Sequence, residues 1–257
     1  MSSKSRLAIV IPMRDERLSV KPLFARFVAA APGWGPSYRI IVVDGMSSDG
    51  TPDAIRRFEN RLPIEILELE ENVGLGGALE IGLQRALQEA EVVVTMDGDD
   101  SHDPATIPSL LARLDEGYDV VVASRFAPGG REIGVAAHRR LLSHTASGFL
   151  RFLFPVGSVQ DYSSGFRAYR AEALRALGTE GPLVRESGFA CMLDLLLRLR
   201  ARGCRAAEVP LVLRYDLKPS ESKMDVPRTV LRYLALIMGN LRTAGPWWAP
   251  VERPVAP

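Results

Sequence analysis

The chain has 257 residues, of which 47% are hydrophobic and 25% are charged, and its formal net charge is +1. This composition is typical of a soluble globular protein, and the nearly balanced charge gives no indication of a nucleic acid partner. The two cysteines, Cys191 and Cys204, form neither a CxxC motif nor a Cys/His cluster, which argues against a disulfide framework or a zinc site. We therefore expect a reducing, cytoplasmic location.

Strands and helices alternate through the first 125 residues. Apolar runs predict strands at 6–11, 38–43, 64–69, 92–96 and 119–124, and helical patterns predict helices at 18–31, 51–59, 74–89 and 104–114. The first apolar run is short and leads directly into polar residues, so it is predicted as a strand rather than a signal peptide. This alternation predicts an α/β fold with a mostly parallel sheet that is covered by helices on both faces.

The pattern is looser in the second half. It predicts a loop at 127–132, helices at 138–154, 171–176, 189–201 and 229–242, strands at 165–170 and 207–214, and an irregular tail at 246–257. Pro210 cannot donate a hydrogen bond within a sheet, so the strand that contains it is predicted at an edge. Because no linker is evident, we expect one domain at 1–225, followed by an amphipathic helix and tail at 226–257.

The segment 92–104, VVVTMDGDDSHDP, changes abruptly from apolar residues to carboxylates. Asp97 and Asp99 are two residues apart, so on extended chain their side chains would point the same way. Two convergent carboxylates repel each other unless a cation lies between them, and a hard divalent cation also binds substrate phosphates. The alternative is a solvated acidic loop with helix-capping residues.

Polar residues also follow other predicted strands. Pro12, Arg14 and Glu16 follow the first strand, Asp44 the second and Arg125 the fifth. The carboxyl ends of parallel strands form one crevice, where such folds bind ligands. Neither the dinucleotide fingerprint GxGxxG after the first strand nor a phosphate-binding GxxxxGK[ST] loop occurs. Nucleotide binding would therefore depend on carboxylates and a metal ion.

Eight motifs occur in the order found in one known family. They are IVIPMRDE at 9–16, VVDGMSSDGT at 42–51, NVGLGGAL at 72–79, MDGDDSHDP at 96–104, ASR at 123–125, RRLLS at 139–143, DYSSGFRAYR at 161–170 and ESK at 221–223. The chain thus resembles the family 2 glycosyltransferases, which have the Rossmann-like GT-A fold. Among them it is most similar to the polyprenyl-phosphate (dolichyl-phosphate) mannose synthases.

The resemblance implies roles for individual residues. The residues implied in nucleotide-sugar binding are Pro12, Arg14, Glu16, Asp44, Asp97, Asp99, Arg139 and Arg214. Those implied in binding Mg²⁺ or Mn²⁺ are Asp97, Asp99 and Ser101, and those implied in catalysis are Asp99, Arg125, Asp161 and Lys223. The chain departs from the family at Gly45, where a second acid is common, and at Ser101, where close relatives have Gln. Arg14 replaces an aromatic or small polar residue.

The resemblance also implies a reaction. A sugar, with mannose from GDP-mannose favoured, would be transferred with inversion onto a polyprenyl phosphate. Relatives that glycosylate hydroxyls carry a Glu-Asp pair before the helix at 189–201, and its absence here favours a phosphate acceptor, which needs no general base. Two alternatives remain open: a soluble glycosyltransferase acting on a small-molecule hydroxyl, and a non-catalytic nucleotide-sugar binding module.

The apolar, arginine-containing segment 227–242 has two interpretations. It lies in a membrane interface and guides a prenyl chain, or it packs against the sheet or a second copy of the chain. No stretch approaches the roughly 18 uncharged apolar residues of a spanning helix. We therefore expect a cytoplasmic protein that binds the membrane peripherally at most, with an oligomer as a further arrangement.

Overall fold

The structure, a computed structural model, describes residues 7–35, 37–219 and 226–243. Its first half contains β1 (Leu7–Met13), α1 (Arg17–Ala30), β2 (Tyr38–Asp44), α2 (Thr51–Arg56), β3 (Ile64–Glu68), α3 (Gly74–Leu87), β4 (Val92–Thr95), α4 (Ile107–Asp115) and β5 (Val120–Ser124). Its second half contains β6 (Arg131–Ile133), α5 (Ala137–Leu153), β7 (Arg167–Arg170), α6 (Ala171–Gly178), α7 (Cys191–Ala201), β8 (Ala206–Pro210), β9 (Val212–Arg214) and α8 (Val226–Thr243).

Seven strands form one sheet in the order β3-β2-β1-β4-β7-β5-β8. Neighbouring strands are parallel except at β7, which runs antiparallel to both β4 and β5. The prediction of a mostly parallel α/β sheet is therefore confirmed. β1 lies between β2 and β4. From β1 the chain adds β2 and then β3 on one side, and β4 is then added on the other side of β1. The crevice at such a switch point, beyond the carboxyl ends of β1 and β4, is where α/β folds bind ligands.

The strands are apolar throughout because both faces of the sheet are covered. Side chains alternate between the faces, so Val10 packs with α3 and α7 on one side and Ile9 packs with α1 and α4 on the other. Both residues have no exposed surface. Two separate hydrophobic cores thus hold β1, and with it the loop that follows it, at the centre of the molecule.

The strand predicted at 207–214 is wrong in one respect, since it is two strands. β8 ends at Pro210, and β9 leaves the main sheet to pair in parallel with β6. Leu211 makes the transition: its N–H donates to the Ser124 carbonyl (2.8 Å), and its carbonyl accepts from the Arg131 N–H (2.9 Å). The edge position predicted for Pro210 is confirmed, because β8 is the last strand of the sheet.

Other boundaries also differ from prediction. The helix predicted at 51–59 ends at Arg56, and the helix predicted at 104–114 begins with a 3₁₀ turn, Pro104–Thr106, before α4. The loop predicted at 127–132 runs into β6, which forms only because β9 is available as a partner. The strand predicted at 165–170 is confined to β7. Helix ends commonly shift in this way, since their last residues lack backbone partners.

α8 packs one face against the core, as the second interpretation of the C-terminal segment predicts, while the membrane-interface interpretation stays a prediction. Ile237 is buried in the core cluster that includes α7, with Tyr233 and Leu236 packed against that cluster. On the opposite side Leu231 is 67% exposed and Met238 55% exposed. No helix in the described part of the chain combines the length and the apolar character needed to cross a bilayer. The tail at 246–257 lies outside the described residues, and the domain division at 225 stays a prediction.

Candidate active site

The loops that follow β1 and β2 are joined by hydrogen bonds at the carboxyl edge of the sheet. The Ser47 hydroxyl donates to Asp44 Oδ1 (2.6 Å) and accepts from the Asp15 N–H (2.8 Å). The Glu16 N–H donates to Thr51 Oγ1 (2.9 Å). Asp44 is 2% exposed, and its Oδ2 accepts from the Ser47 N–H (2.9 Å). The two strand ends therefore form one ordered wall of the crevice.

Four of the residues implied in nucleotide-sugar binding, Pro12, Arg14, Glu16 and Asp44, lie on this wall. Pro12 is the penultimate residue of β1, and Glu16 is buried and accepts a hydrogen bond from the Ser19 hydroxyl (2.9 Å). Arg14 is the most exposed of them, with its Nε 3.6 Å from Asp15. The structure thus brings Pro12, Arg14, Glu16 and Asp44 to one loop pair, as adjacent parallel strands require.

The loop after β4 packs directly against the end of β1. Gly98 allows this contact, because a Cβ at this position would overlap the Met13 side chain. The next residues curve back into the protein, and Asp100 takes a left-handed conformation with φ 69°. As a result the acids after β4 and the wall formed by the loops after β1 and β2 face the same crevice.

The Asp97 backbone is hydrogen-bonded to His102, which stacks on Phe166. Its N–H donates to His102 Nδ1 (3.2 Å), and His102 is buried and stacks on Phe166 at 5.2 Å. His102 therefore packs locally. A Cβ at Gly165 would lie only 2.8 Å from Asp97 Oδ1, so glycine is needed there. Asp97 keeps 39% of its side chain exposed but is closely surrounded by protein; this desolvation, reinforced by Asp99, raises its pKa.

Both carboxylate oxygens of Asp99 are engaged by the protein. Oδ1 accepts from the Ser101 hydroxyl (2.5 Å) and N–H (3.1 Å), and Oδ2 accepts from Lys218 Nζ (2.7 Å). Burial alone would raise the pKa of Asp99, but the Lys218 charge and these hydrogen bonds outweigh it and hold the pKa below its usual range. Asp99 is therefore an anion that pairs with an ammonium group of the protein, and the divalent cation expected from the acidic loop stays a prediction.

Arg125 and Asp161 form a buried, two-pronged ion pair. Arg125 Nε donates to Asp161 Oδ2 and Nη2 to Oδ1, both at 2.7 Å, while Nη1 donates to Glu132 (3.1 Å). Asp161 has no exposed surface and also accepts from the Ser164 N–H (3.1 Å). Burial alone would raise the pKa of Asp161, but Arg125 outweighs it and lowers the pKa. These contacts indicate that Asp161 orients Arg125, and they do not favour Asp161 as a proton-accepting base.

The remaining predicted cations are dispersed. Arg139 is exposed on α5, with Nη1 3.4 Å from the Tyr215 hydroxyl. Arg214 is exposed and paired with Asp216 (2.9 Å), although its N–H donates to the Ser101 carbonyl (2.9 Å) and so joins β9 to the acidic loop. Lys223 lies outside the described residues. The structure therefore places Arg125 beside the acids at the strand ends, and Arg139 at the margin of the crevice.

Asp100 should make stability depend on pH. Its side chain is 3% exposed and paired with Arg26, yet burial raises its pKa to about 6 from 3.8. The folded carboxyl thus holds its proton more tightly than the unfolded one, and stability falls as pH rises from 3.8 to 6.

We expect Asp100→Asn, which tolerates the left-handed backbone, to gain on the order of 2–3 kcal/mol in free energy of unfolding relative to the parent as pH rises across this interval. Urea unfolding at pH 4, 5, 6 and 7 measures this difference, and a difference independent of pH would contradict it.

The sequence profile described as "Glycosyl transferase family 2" matches residues 8–178. The chain belongs to this family. This glycosyltransferase is 32% identical over 221 residues to an undecaprenyl-phosphate mannosyltransferase of Micrococcus luteus. The alignment covers 85% of this chain and 87% of that one. The chain is also 32% identical over 209 residues to a polyprenol monophosphomannose synthase of Mycolicibacterium smegmatis, covering 80% and 76%. The predicted family is therefore confirmed.

Solved structures agree on the fold of this glycosyltransferase. The crystal structure of glucosyl-3-phosphoglycerate synthase from Mycobacterium tuberculosis, in complex with Mn²⁺, uridine diphosphate and phosphoglyceric acid, matches with a TM-score of 0.69 at 20% identity. The match covers 91% of this chain and 78% of that chain. The predicted GT-A fold is thus confirmed.

The acidic loop of the glycosyltransferase has the donor atoms that a hard divalent cation prefers. Mg²⁺ is usually bound by one or two carboxylates together with substrate phosphates and water, and Asp97 and Asp99 supply such carboxylates. Within 7–35, 37–219 and 226–243, no three His, Cys, Asp or Glu side chains converge to hold an ion by themselves. The chemistry of these residues therefore fits a cation that is shared with a phosphate-bearing substrate, and the Ser101 oxygen lies beside Asp99 as a further donor.

Sequence reasoning missed three charged residues of this site: Lys218, Glu132 and Glu208. Glu132 is the second partner of Arg125, and Glu208 accepts from the N–H groups of Gln160 (2.6 Å) and Asp161 (2.7 Å). Glu208 lies in the middle of β8, a segment that the sequence pattern predicts only as a strand. Lys218 lies in a polar loop close to the ESK motif, and that proximity was the one signal that could have suggested it.

Proposed function

We propose that this glycosyltransferase moves a sugar from a nucleoside diphosphate donor to a polyprenyl phosphate, with mannose from GDP-mannose as the favoured donor. The observation that carries the proposal is the crevice at the carboxyl ends of β1, β2, β4 and β5. There the wall formed by Pro12, Arg14, Glu16 and Asp44, which we call the nucleoside wall, lies near Arg125 and the acidic pair Asp97 and Asp99. The names of the curated relatives, which are mannosyltransferases acting on undecaprenyl phosphate or forming polyprenol monophosphomannose, support this choice of substrates.

The two ends of the donor would meet different parts of the crevice. Pro12, Glu16 and Asp44 would contact the base and ribose, since they line the wall formed by the β1 and β2 loops. The diphosphate would then extend toward Asp97 and Asp99. Arg125, with Arg139 and Lys223 as further cations, would attract the diphosphate or the acceptor phosphate through its charge, since its hydrogen bonds already go to Asp161, Glu132 and Ser163.

A divalent cation, Mg²⁺ or Mn²⁺, would be held by Asp97 and Asp99, with Ser101 nearby. When bound, it supplies positive charge that stabilises the diphosphate as a leaving group. The Mn²⁺ bound by the Mycobacterium tuberculosis synthase supports this assignment.

The reaction would proceed by direct displacement with inversion. An oxygen of the acceptor phosphate attacks the anomeric carbon, the bond from that carbon to the diphosphate breaks, and the electron pair leaves with the diphosphate. An acceptor phosphate is already an anion at neutral pH, so it requires positioning rather than a base. A hydroxyl acceptor would require a base, and both oxygens of Asp161 are already committed to Arg125 and the adjoining turn. This supports a phosphate acceptor over a hydroxyl acceptor.

We also propose that the enzyme binds peripherally to the cytoplasmic face of a membrane, where a polyprenyl phosphate resides. Two helices expose apolar side chains beside arginines, as interfacial helices do. On α5, Leu141 is 70% exposed and Phe152 is 65% exposed; on α8, Leu231 is 67% exposed. Arg140 lies next to Leu141 in sequence and would face anionic headgroups.

One assay tests the reaction and the membrane association together. Purified protein is incubated with Mg²⁺ or Mn²⁺, GDP- or UDP-sugars and a polyprenyl phosphate in vesicles that contain anionic lipid. We expect extractable mannolipid with GDP-mannose, loss of product after chelation, and sedimentation of the enzyme with the vesicles. Product only with a water-soluble alcohol would favour a hydroxyl acceptor and contradict the proposal. Donor binding without transfer to any acceptor would indicate a non-catalytic module.

A further inference from the structure

Lys218 pairs with the carboxylate of Asp99, to which a divalent cation would bind. Lys218 follows the 3₁₀ turn Tyr215–Leu217, and its Nζ donates to Asp99 Oδ2 at 2.7 Å. The Lys218 and Asp99 side chains are only 11% and 13% exposed, so water screens the pair weakly. The other oxygen of Asp99 accepts from Ser101. The protein itself therefore satisfies both oxygens of Asp99.

An ammonium group and a divalent cation compete for such a carboxylate. Both bind through the charge on the same oxygen, and two cations held within a few ångströms repel each other strongly in a poorly screened site. Binding of a metal to Asp99 thus requires Lys218 to move away or another anion to neutralise the added charge. A nucleoside diphosphate is an anion of that kind.

The surroundings of Lys218 place it on the path of a diphosphate. Glu16, from the nucleoside wall, is close enough to interact electrostatically with Lys218, and Asp99 is in direct contact with it. The ammonium therefore lies near both the wall assigned to the nucleoside and the acids assigned to the metal. Lysine has a long flexible stem and three donors, so a small rotation would carry Nζ from a carboxylate to a phosphate oxygen.

We propose that Lys218 neutralises Asp99 in the donor-free enzyme and transfers to the donor diphosphate on binding, so that the divalent cation binds together with the donor and only weakly before it. This inference rests on the proposed function, because it assumes a diphosphate donor and a divalent cation at Asp97 and Asp99. It assigns to Lys218 a role as a diphosphate ligand.

The inference makes metal and nucleotide affinities interdependent. If a diphosphate removes Lys218 from Asp99, it must strengthen metal binding, and the metal must strengthen diphosphate binding by the same factor. Removing the ammonium should reduce this coupling, because Asp99 is then available to the metal at all times and only the direct contact between metal and diphosphate still links the two affinities.

The experiment is a titration with Mn²⁺, followed by electron paramagnetic resonance, in the absence and presence of GDP or UDP. The variants are Lys218→Ala, Lys218→Gln, and the control Lys21→Ala, which removes an exposed lysine of α1. For the parent and the control we expect the nucleotide to strengthen Mn²⁺ binding by about tenfold or more. For both Lys218 variants we expect Mn²⁺ alone to bind about tenfold more tightly than to the parent, with a correspondingly smaller further gain from nucleotide.

A second readout separates the two roles of the lysine. Nucleotide affinity at saturating Mn²⁺ should fall several-fold in both Lys218 variants, because the contact from the ammonium to the diphosphate is lost. Thermal unfolding of each variant shows whether the fold is retained, and a variant that unfolds is replaced by Lys218→Met, which keeps an unbranched stem without the ammonium and should give the same two affinities as expected for Lys218→Gln.

The outcomes separate this inference from the proposed function. If the parent binds Mn²⁺ with nucleotide and the Lys218 variants give the same two affinities as the parent, the role of Lys218 is overturned while the proposed function stands. If the parent binds no Mn²⁺ with either nucleotide, both the metal site and this inference are overturned.

Discussion

Substitution of Asp99 by Asn is expected to lower sugar transfer by at least about a hundredfold, the usual effect of removing a group that stabilises developing charge. The reason is that Asn keeps the size of Asp99 but removes the negative charge that would hold the divalent cation. Initial rates of mannolipid formation at saturating donor, with the parent and variant at equal concentration, measure the loss.

Asp103→Asn is the matched control for this prediction. Asp103 lies in the same loop, but its Oδ1 accepts from the Ala105 N–H (3.0 Å) and caps the turn before α4. Asn caps helices as well as Asp does, so activity and stability should stay close to those of the parent. Equal activity of the Asp99 and Asp103 variants, both folded, would remove Asp99 from the mechanism.

The second large effect concerns the buried pair of Arg125 and Asp161. We expect Asp161→Asn to lower the free energy of unfolding by about 3–5 kcal/mol, because it leaves the buried guanidinium without its principal counter-charge. Transfer should also fall, since Arg125 would no longer be held toward the crevice. Urea denaturation at pH 7 measures the change in stability.

The pH dependence of this effect has a definite sign. The pKa of Asp161 is held below its usual range in the folded protein, chiefly by Arg125 acting against burial. The contribution to stability is therefore fully present above the unfolded pKa of about 3.8, and it is lost as pH falls through the lower, folded value. The difference between parent and variant should shrink in that acidic range.

Asp216→Asn is the control for the ion pair, because Asp216 also pairs with an arginine, Arg214, but at the surface. Exposed pairs contribute little to stability, so this variant should unfold like the parent. If Asp161→Asn were as harmless as Asp216→Asn, the buried pair would not be a structural support of the site. The double variant Arg125→Met, Asp161→Asn should lose less than the sum of the two single losses.

Much of the fold was predictable because its signals are local. Apolar runs of strand length, such as 38–43 and 92–96, alternate with helical patterns, and this alternation is enough to predict a covered, mostly parallel sheet. The acidic residues Asp44, Asp97 and Asp99 could be placed at one edge, because strands end where apolar residues give way to polar ones. The family motifs lie in these same segments, so the sequence alone determined the fold class and the family.

The tertiary structure decided which charges meet. Lys218 pairs with Asp99 across 119 positions of sequence, and Arg125 pairs with Asp161 across 36. Neither pair follows from local periodicity. Both depend on the insertion of antiparallel β7 between β4 and β5, and on the transfer of the chain from β8 to β9 at Leu211. Long-range contacts of this kind arise from strand order and sheet pairing, which no single segment of the sequence encodes by itself.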